Sequence, residues 1–283
     1  MEATQEPQNL QDKPQKANAW LRTLGSGFVL YVVAVVFLIA TGNPNLFPTV
    51  VMIGSFLVPI TYVTFFYERR HLSKLAISTT MISFIYGGTL GVLAASLLEP
   101  IFIRRLDVVN LIVVGLIEEF AKILGVFVIA RRLRHDSEMD GLILGAAAGM
   151  GFAALESMGY SFTAFLASGG SISQTVGVTL LRGILSPVGH GTWTAILASV
   201  LFRESSAGHF RINFKVIGAY LLVSVLHGLW DLLPAVISSV VGSGPDVFIG
   251  QALVGGAGLF ILWLRWREAR RLQMEAQVSN FSP

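Results

Sequence analysis

A chain of 283 residues in which 53% are hydrophobic and 13% are charged is not an ordinary soluble domain, in which about a quarter of the residues carry charge. Cysteine is absent, which excludes disulfides, iron–sulfur clusters and thiolate-bound zinc. The net charge of +3 gives no support to nucleic-acid binding, because the basic residues fall between apolar runs. The composition predicts an all-α, polytopic transmembrane helical bundle.

Residues 1–24 form a polar, Gln-rich stretch, predicted to be a disordered cytosolic tail. Glu2, Glu6 and Asp12 are foreign to the n-region of a signal peptide, and no A-x-A-like site follows the first apolar run. Eight runs then have roughly the 20-residue length a bilayer demands. They cover about 25–42, 49–67, 76–97, 107–130, 141–165, 174–202, 214–236 and 247–265. Residues 25–265 are therefore read as one transmembrane domain, and 266–283 as a second cytosolic tail. The tails and even-numbered loops hold sixteen Lys and Arg residues, whereas the odd-numbered loops hold Arg104 and Arg105 alone. That alternation predicts that both termini are cytosolic.

The fourth run carries Glu118, Glu119 and Lys122 near its middle. Each charge at the centre of a membrane helix costs about 2.5–3.5 kcal/mol, so three cost about 8–10 kcal/mol, comparable to all that the apolar residues of the run contribute. Such a helix needs neighbours that receive its charges. Glu118 and Lys122 stand at i, i+4 and share a face with Gly115, while Glu119 is turned by about 100° and reaches Lys122 at i+3.

The neighbours follow in order. The fifth run has Gly141, Gly145 and Gly149 at four-residue spacing, which lets backbones approach closely in lipid. The same face continues to Phe152, Ala153 and Glu156, so Glu156 is predicted to point into the bundle. The sixth run is overlong and contains Pro187. A kink is expected there, with two half-helices as the alternative. Arg182, Ser186, His190 and Thr194 form a polar stripe along it, and Tyr220, Ser224, His227 and Asp231 form another on the seventh. A polar stripe on an otherwise apolar membrane helix marks an internal seam. Counting about 1.5 Å of rise per residue brings Glu118, Glu156, His190 and His227 to one depth, just outward of the midplane.

Carboxylates, imidazoles and a lysine in a dry cage suit peptide-bond hydrolysis. A carboxylate can take a proton from water and pass it to a leaving amine, and a histidine can donate to a developing oxyanion. Glu156, His190 and His227 are candidate ligands of a divalent metal such as zinc, with water as the fourth. The zincin motif H-E-x-x-H is absent. Only Asp231 among the aspartates lies clearly inside a run, which disfavours an aspartyl protease. Asp, Glu and His chains inside membranes also mark ion pathways. A proton- or cation-coupled transporter is therefore the alternative, and a non-catalytic scaffold a further one.

Three motifs in order carry a resemblance. Glu118-Glu-Phe-Ala-Lys122 fits E-E-x-x-K, Phe152-Ala-Ala-Leu-Glu156 fits F-x-x-x-E, and His227-Gly-Leu-Trp-Asp231 fits H-x-x-x-D. Over about 107–236 the chain resembles the PrsW family of bacterial intramembrane proteases, itself related to the CAAX prenyl endopeptidases and bacteriocin-processing enzymes. The resemblance implies a multi-pass protein of the cytoplasmic membrane that cleaves membrane-embedded proteins, such as membrane-anchored anti-sigma factors. By the same resemblance Glu118 activates the attacking water, Glu156 is a second acid/base group, and His227 with Asp231 orients the oxyanion or the water. Glu119 and Lys122 complete the first motif. His190 is added from its position and chemistry as a substrate-binding group. Glu156 and Asp231 are His and Asn in the prenyl-endopeptidase relatives.

Overall fold

The apolar pattern has a helical period throughout, and in the computed structural model helices carry nearly all of the described residues: 18–70, 73–103, 105, 107–131, 137–206, 209–242, 244 and 248–281. Arg104, Arg132 and Arg134, which entered the topology count, lie outside them, as do residues 1–17 of the expected tail. The helices are α1 (Ala19–Thr41), α2 (Phe47–Glu68), α3 (Ile77–Ile82), α4 (Gly88–Phe102) and α5 (Val108–Ala130). They continue as α6 (Glu138–Ala167), α7 (Ile172–Leu185), α8 (His190–Glu204), α9 (Phe214–Val241) and α10 (Phe248–Phe281). A π-helical turn, Ser83–Gly87, joins α3 to α4.

Local chemistry sets several ends. Gly42 stops α1 in the left-handed region, at φ 61°, and its N–H bonds to Leu38 O. Asp107, Ser137 and Asn213 cap α5, α6 and α9 by accepting first-turn N–H groups.

Among the described residues, seven helical stretches are long and apolar enough to cross a membrane. α5 is an eighth rod of 23 residues, distinguished by the three ionisable side chains in its middle. The predicted sixth span is two half-helices and not one kinked helix. Pro187 sits in a short 3-10 turn, Ser186–Val188, and α8 restarts at His190. A proline ring excludes the carbonyl four residues before it, so an interrupted helix is the relaxed solution. Past the expected end of the last span, α10 continues to Phe281.

α6 is the axis of the bundle. Its apolar window is 83% buried, against 11% for α1, most of whose side chains are exposed. Lipid supplies no hydrophobic force between helices, so close backbone approach has to hold them. A Cβ on Gly141, Gly145 or Gly149 would overlap the carbonyl oxygens of Ala198, Thr194 or His190, so α8 lies directly on the glycine stripe of α6. Gly115 of α5 likewise faces the backbone of Ser224 and Gly228 on α9. These two close pairs fix the site: one brings Glu156 to His190, the other brings Glu118 and Glu119 to His227. α10 is tied to α6 by Arg265 and Glu138, and to α8 by Arg203 Nη1 at 2.8 Å from Glu268 Oε1.

Candidate active site

Lys122 is the centre of the cluster and is fully buried. Its Nζ donates to Glu118 Oε2 at 3.0 Å and to Glu119 Oε1 at 2.9 Å, and lies 2.8 Å from His190 Nδ1. An ammonium has three donors and no acceptor, so His190 Nδ1 must accept and all three donors are used. The Phe152 ring, from the F-x-x-x-E motif, lies 4.1 Å from the same nitrogen and adds a cation–π contact. The i+3 and i+4 spacing on α5 brings both glutamates to the lysine.

Glu119 is sealed inside the bundle. Thr194 Oγ1 donates to its Oε2 at 3.2 Å, and its Oε1 lies 3.1 Å from His227 Nδ1. A proton on Nδ1 therefore leaves Nε2 of His227 facing Glu118 Oε2 at 3.6 Å and Asp231 Oδ2 at 3.5 Å. The imidazole stacks on Trp193, with ring centres 4.7 Å apart. His190 is held in the same manner. Its Nε2 donates to Glu156 Oε2 at 2.9 Å, and Arg182 Nη2 donates to that same oxygen at 2.6 Å. Arg182 Nε also donates to Ser157 Oγ at 3.1 Å.

Side-chain exposure rises from zero at Lys122 and Glu119, through 12% at His190 and 20% at Glu156, to 34% at Asp231. The charged core is dry, and the cluster opens on the side of His190, Glu156 and Asp231. There a cavity of about 160 Å³ adjoins His190 between α6, α7, α9 and α10.

The donors suit a metal. Ligand atoms of Glu118, His190 and His227 all lie within 4.8 Å of one another. His190 Nδ1 is 3.9 Å, and His227 Nε2 3.6 Å, from Glu118 Oε2. A tetrahedral zinc with about 2.0–2.1 Å bonds sets its donors roughly 3.3–3.5 Å apart, and two His with one Glu is a catalytic zinc donor set. Both imidazoles also meet a carboxylate through the opposite ring nitrogen, Glu119 for His227 and Glu156 for His190, as metal-bound histidines do. The Lys122 ammonium lies on His190 Nδ1, so metal binding and that hydrogen bond are alternatives. The grouping differs by one residue from the expected triad of Glu156, His190 and His227. Glu156 meets the outer nitrogen of His190, so Glu118 stands where the third donor was expected.

All the residues expected at the site thus converge. The sequence reading missed Glu99 on α4, which lies within electrostatic reach of Glu118, Glu156, His227 and Lys122. The third run was taken to end at residue 97, and a charge just past a span end reads as interfacial. Arg182, a member of the polar stripe on the sixth run, holds Glu156.

Residues 76–263 match the family described as PrsW family intramembrane metalloprotease, and they include every residue of the cluster. The chain belongs to this family. Membership makes it a membrane peptidase, and the two-His, one-Glu donor set gives the PrsW family's metal a place in this chain. No curated protein and no solved structure matches the chain.

Proposed function

We propose that this protein hydrolyses a peptide bond of a membrane-embedded or membrane-proximal segment by water activated at Glu118. One observation carries the reading: Glu118 Oε2 lies within 4 Å of both imidazoles, one of which, His190, borders the open side of the cluster. Glu118 takes a proton as the water oxygen bonds to the scissile carbonyl carbon. The proton then passes to the amide nitrogen, the C–N bond breaks, and a carboxylic acid and an amine result, the acid then giving its proton to the amine. A divalent metal held by His190, His227 and Oε2 of Glu118, the oxygen nearest both imidazoles, would supply Lewis acidity toward the water and the carbonyl, and the other oxygen of Glu118 would remain to take the proton.

The remaining residues position these groups. Lys122 holds both carboxylates of α5, Glu119 fixes the ring of His227, and Glu156 with Arg182 fixes the ring of His190. Glu156 spends one oxygen on two donors, which suits orientation better than proton delivery. Asp231, the most exposed member, lies beside His227 at the mouth and lines the approach of the carbonyl oxygen.

The proposed substrates are membrane-anchored regulators, anti-sigma factors among them. The proposed setting is a bacterial cytoplasmic membrane with both termini inside, supported by the basic loops. The transmembrane domain of 25–265 carries the activity, and the motif core is 107–236. The test is cleavage of a reporter membrane peptide in proteoliposomes by wild type and by the Glu118→Gln, Glu156→Gln and His227→Ala variants. Loss of cleavage in Glu118→Gln is expected. Ion flux abolished by Glu118→Gln, with no cleavage by wild type, would favour a transporter instead.

A further inference from the structure

The cavity beside His190 has a size, a lining and an unmet bonding group that fit one kind of occupant. Its volume, about 160 Å³, is close to that of an engineered apolar cavity of about 150 Å³ that accepts benzene. That is room for one side chain of leucine or phenylalanine size. Ala153, Leu181, Leu185 and Trp230 supply apolar wall, and Arg182 and Gln251 supply polar groups.

Two further observations concern the backbone of whatever enters. Gln251 Oε1 is buried with no hydrogen-bond partner among the described residues. An unsatisfied buried acceptor is costly; Gln251 lines the cavity, and rotation of its amide would turn Oε1 toward an N–H that enters. The interruption between α7 and α8 also borders the cavity, through Ser186 and Gly189. Non-helical backbone at membrane depth is tolerated where it is buried in protein or lines a wet cavity. A membrane helix whose peptide bond is to be cut must unwind locally, and its freed N–H groups then need acceptors. Gln251 offers one within the cavity that His190 borders.

We propose that this cavity is a specificity subsite. It receives one apolar side chain of leucine to phenylalanine size from the residue flanking the scissile bond, while Gln251 accepts a backbone N–H of the unwound substrate. The proposal rests on the peptidase reading above.

The experiment uses full-length protein in proteoliposomes and reporter membrane peptides that differ only in the residue flanking the cut: Gly, Ala, Leu, Phe, Trp or Asp. Leu and Phe should be preferred over Gly and Asp by at least about tenfold in kcat/KM, in line with the selectivity of apolar pockets. Leu181→Trp narrows the cavity and should move the preference to Gly and Ala. Leu181→Ala widens it and should admit Trp. Leu181 is 43% exposed, so both changes are compatible with folding. Gln251→Leu should raise KM for every peptide while metal content stays at the wild-type level. Cleavage indifferent to the flanking residue and to both Leu181 variants would overturn the subsite and leave the peptidase reading standing. Leu181→Trp that changes co-purified lipid but no peptide preference would assign the cavity to an acyl chain and overturn the proposal. Failure of every peptide to be cleaved would overturn the peptidase reading, and the subsite with it.

Discussion

Glu119 Oε1 lies 3.1 Å from His227 Nδ1, and both side chains are closed off from solvent. The contact joins α5 to α9 at the point where Gly115 brings their backbones together. It makes the second glutamate of the E-E pair the orienting partner of an imidazole. Glu119→Gln keeps the shape and removes the charge. Weaker metal binding, by about 10–100-fold, is the expected result, the usual cost of losing a carboxylate behind a metal-bound histidine. Metal titration of purified protein measures it.

Lys122 carries the stability of the cluster. Lys122→Met leaves Glu118 and Glu119 buried side by side without their cation. Breaking a buried pair from one side costs about 3–5 kcal/mol. A large drop in thermal midpoint in detergent or lipid is expected. Replacing Lys122, Glu118 and Glu119 together with Met, Leu and Leu should recover much of the stability and none of the activity.

Arg182 acts on His190 through Glu156. Arg182→Leu removes the 2.6 Å bond that fixes Glu156 Oε2. Both metal affinity and kcat should fall by about tenfold or more, within the range for outer-shell partners of a metal-bound histidine. Arg182→Lys restores charge without the planar fork and should recover only part of the loss.

The glycine stripe has a steric test with an internal control. Gly145→Val drives a branched side chain into Thr194 O and Ala195 on α8. Overpacking of this kind costs about 1–3 kcal/mol, and it displaces the helix that begins at His190, so activity should fall as well. Gly159→Ala, on the same helix but with nothing within 4 Å of the added Cβ, should be neutral or stabilising by up to about 1 kcal/mol. Thermal midpoints and cleavage rates of the two variants separate these outcomes.

Much of this site can be read from the chain because helical spacing is rigid. Glu118 and Lys122 at i, i+4 must be neighbours, and the polar stripes through His190 and His227 can satisfy themselves only at an internal seam. Rotation about each helix axis is a different matter. Glu118 and Glu156 reach the same depth, so sequence alone could not say which of them faces His190 Nδ1 and which faces Nε2. That choice follows from the close packing of α6 on α8 and of α5 on α9. Pro187 permits either a kink or a break, and the structure has the break. Glu99 escaped notice because its partners lie on other helices and its place near a span end mimics an interfacial charge.

The most direct test of the central claim is the single-turnover cleavage rate of a reporter membrane peptide by Glu118→Gln, compared with wild type in the same proteoliposomes. Positioned acid–base catalysis contributes about 10²–10⁴-fold. A fall of at least that size, with the variant folded and the peptide bound as in wild type, is the predicted result. Cleavage by Glu118→Gln at the wild-type rate would contradict it.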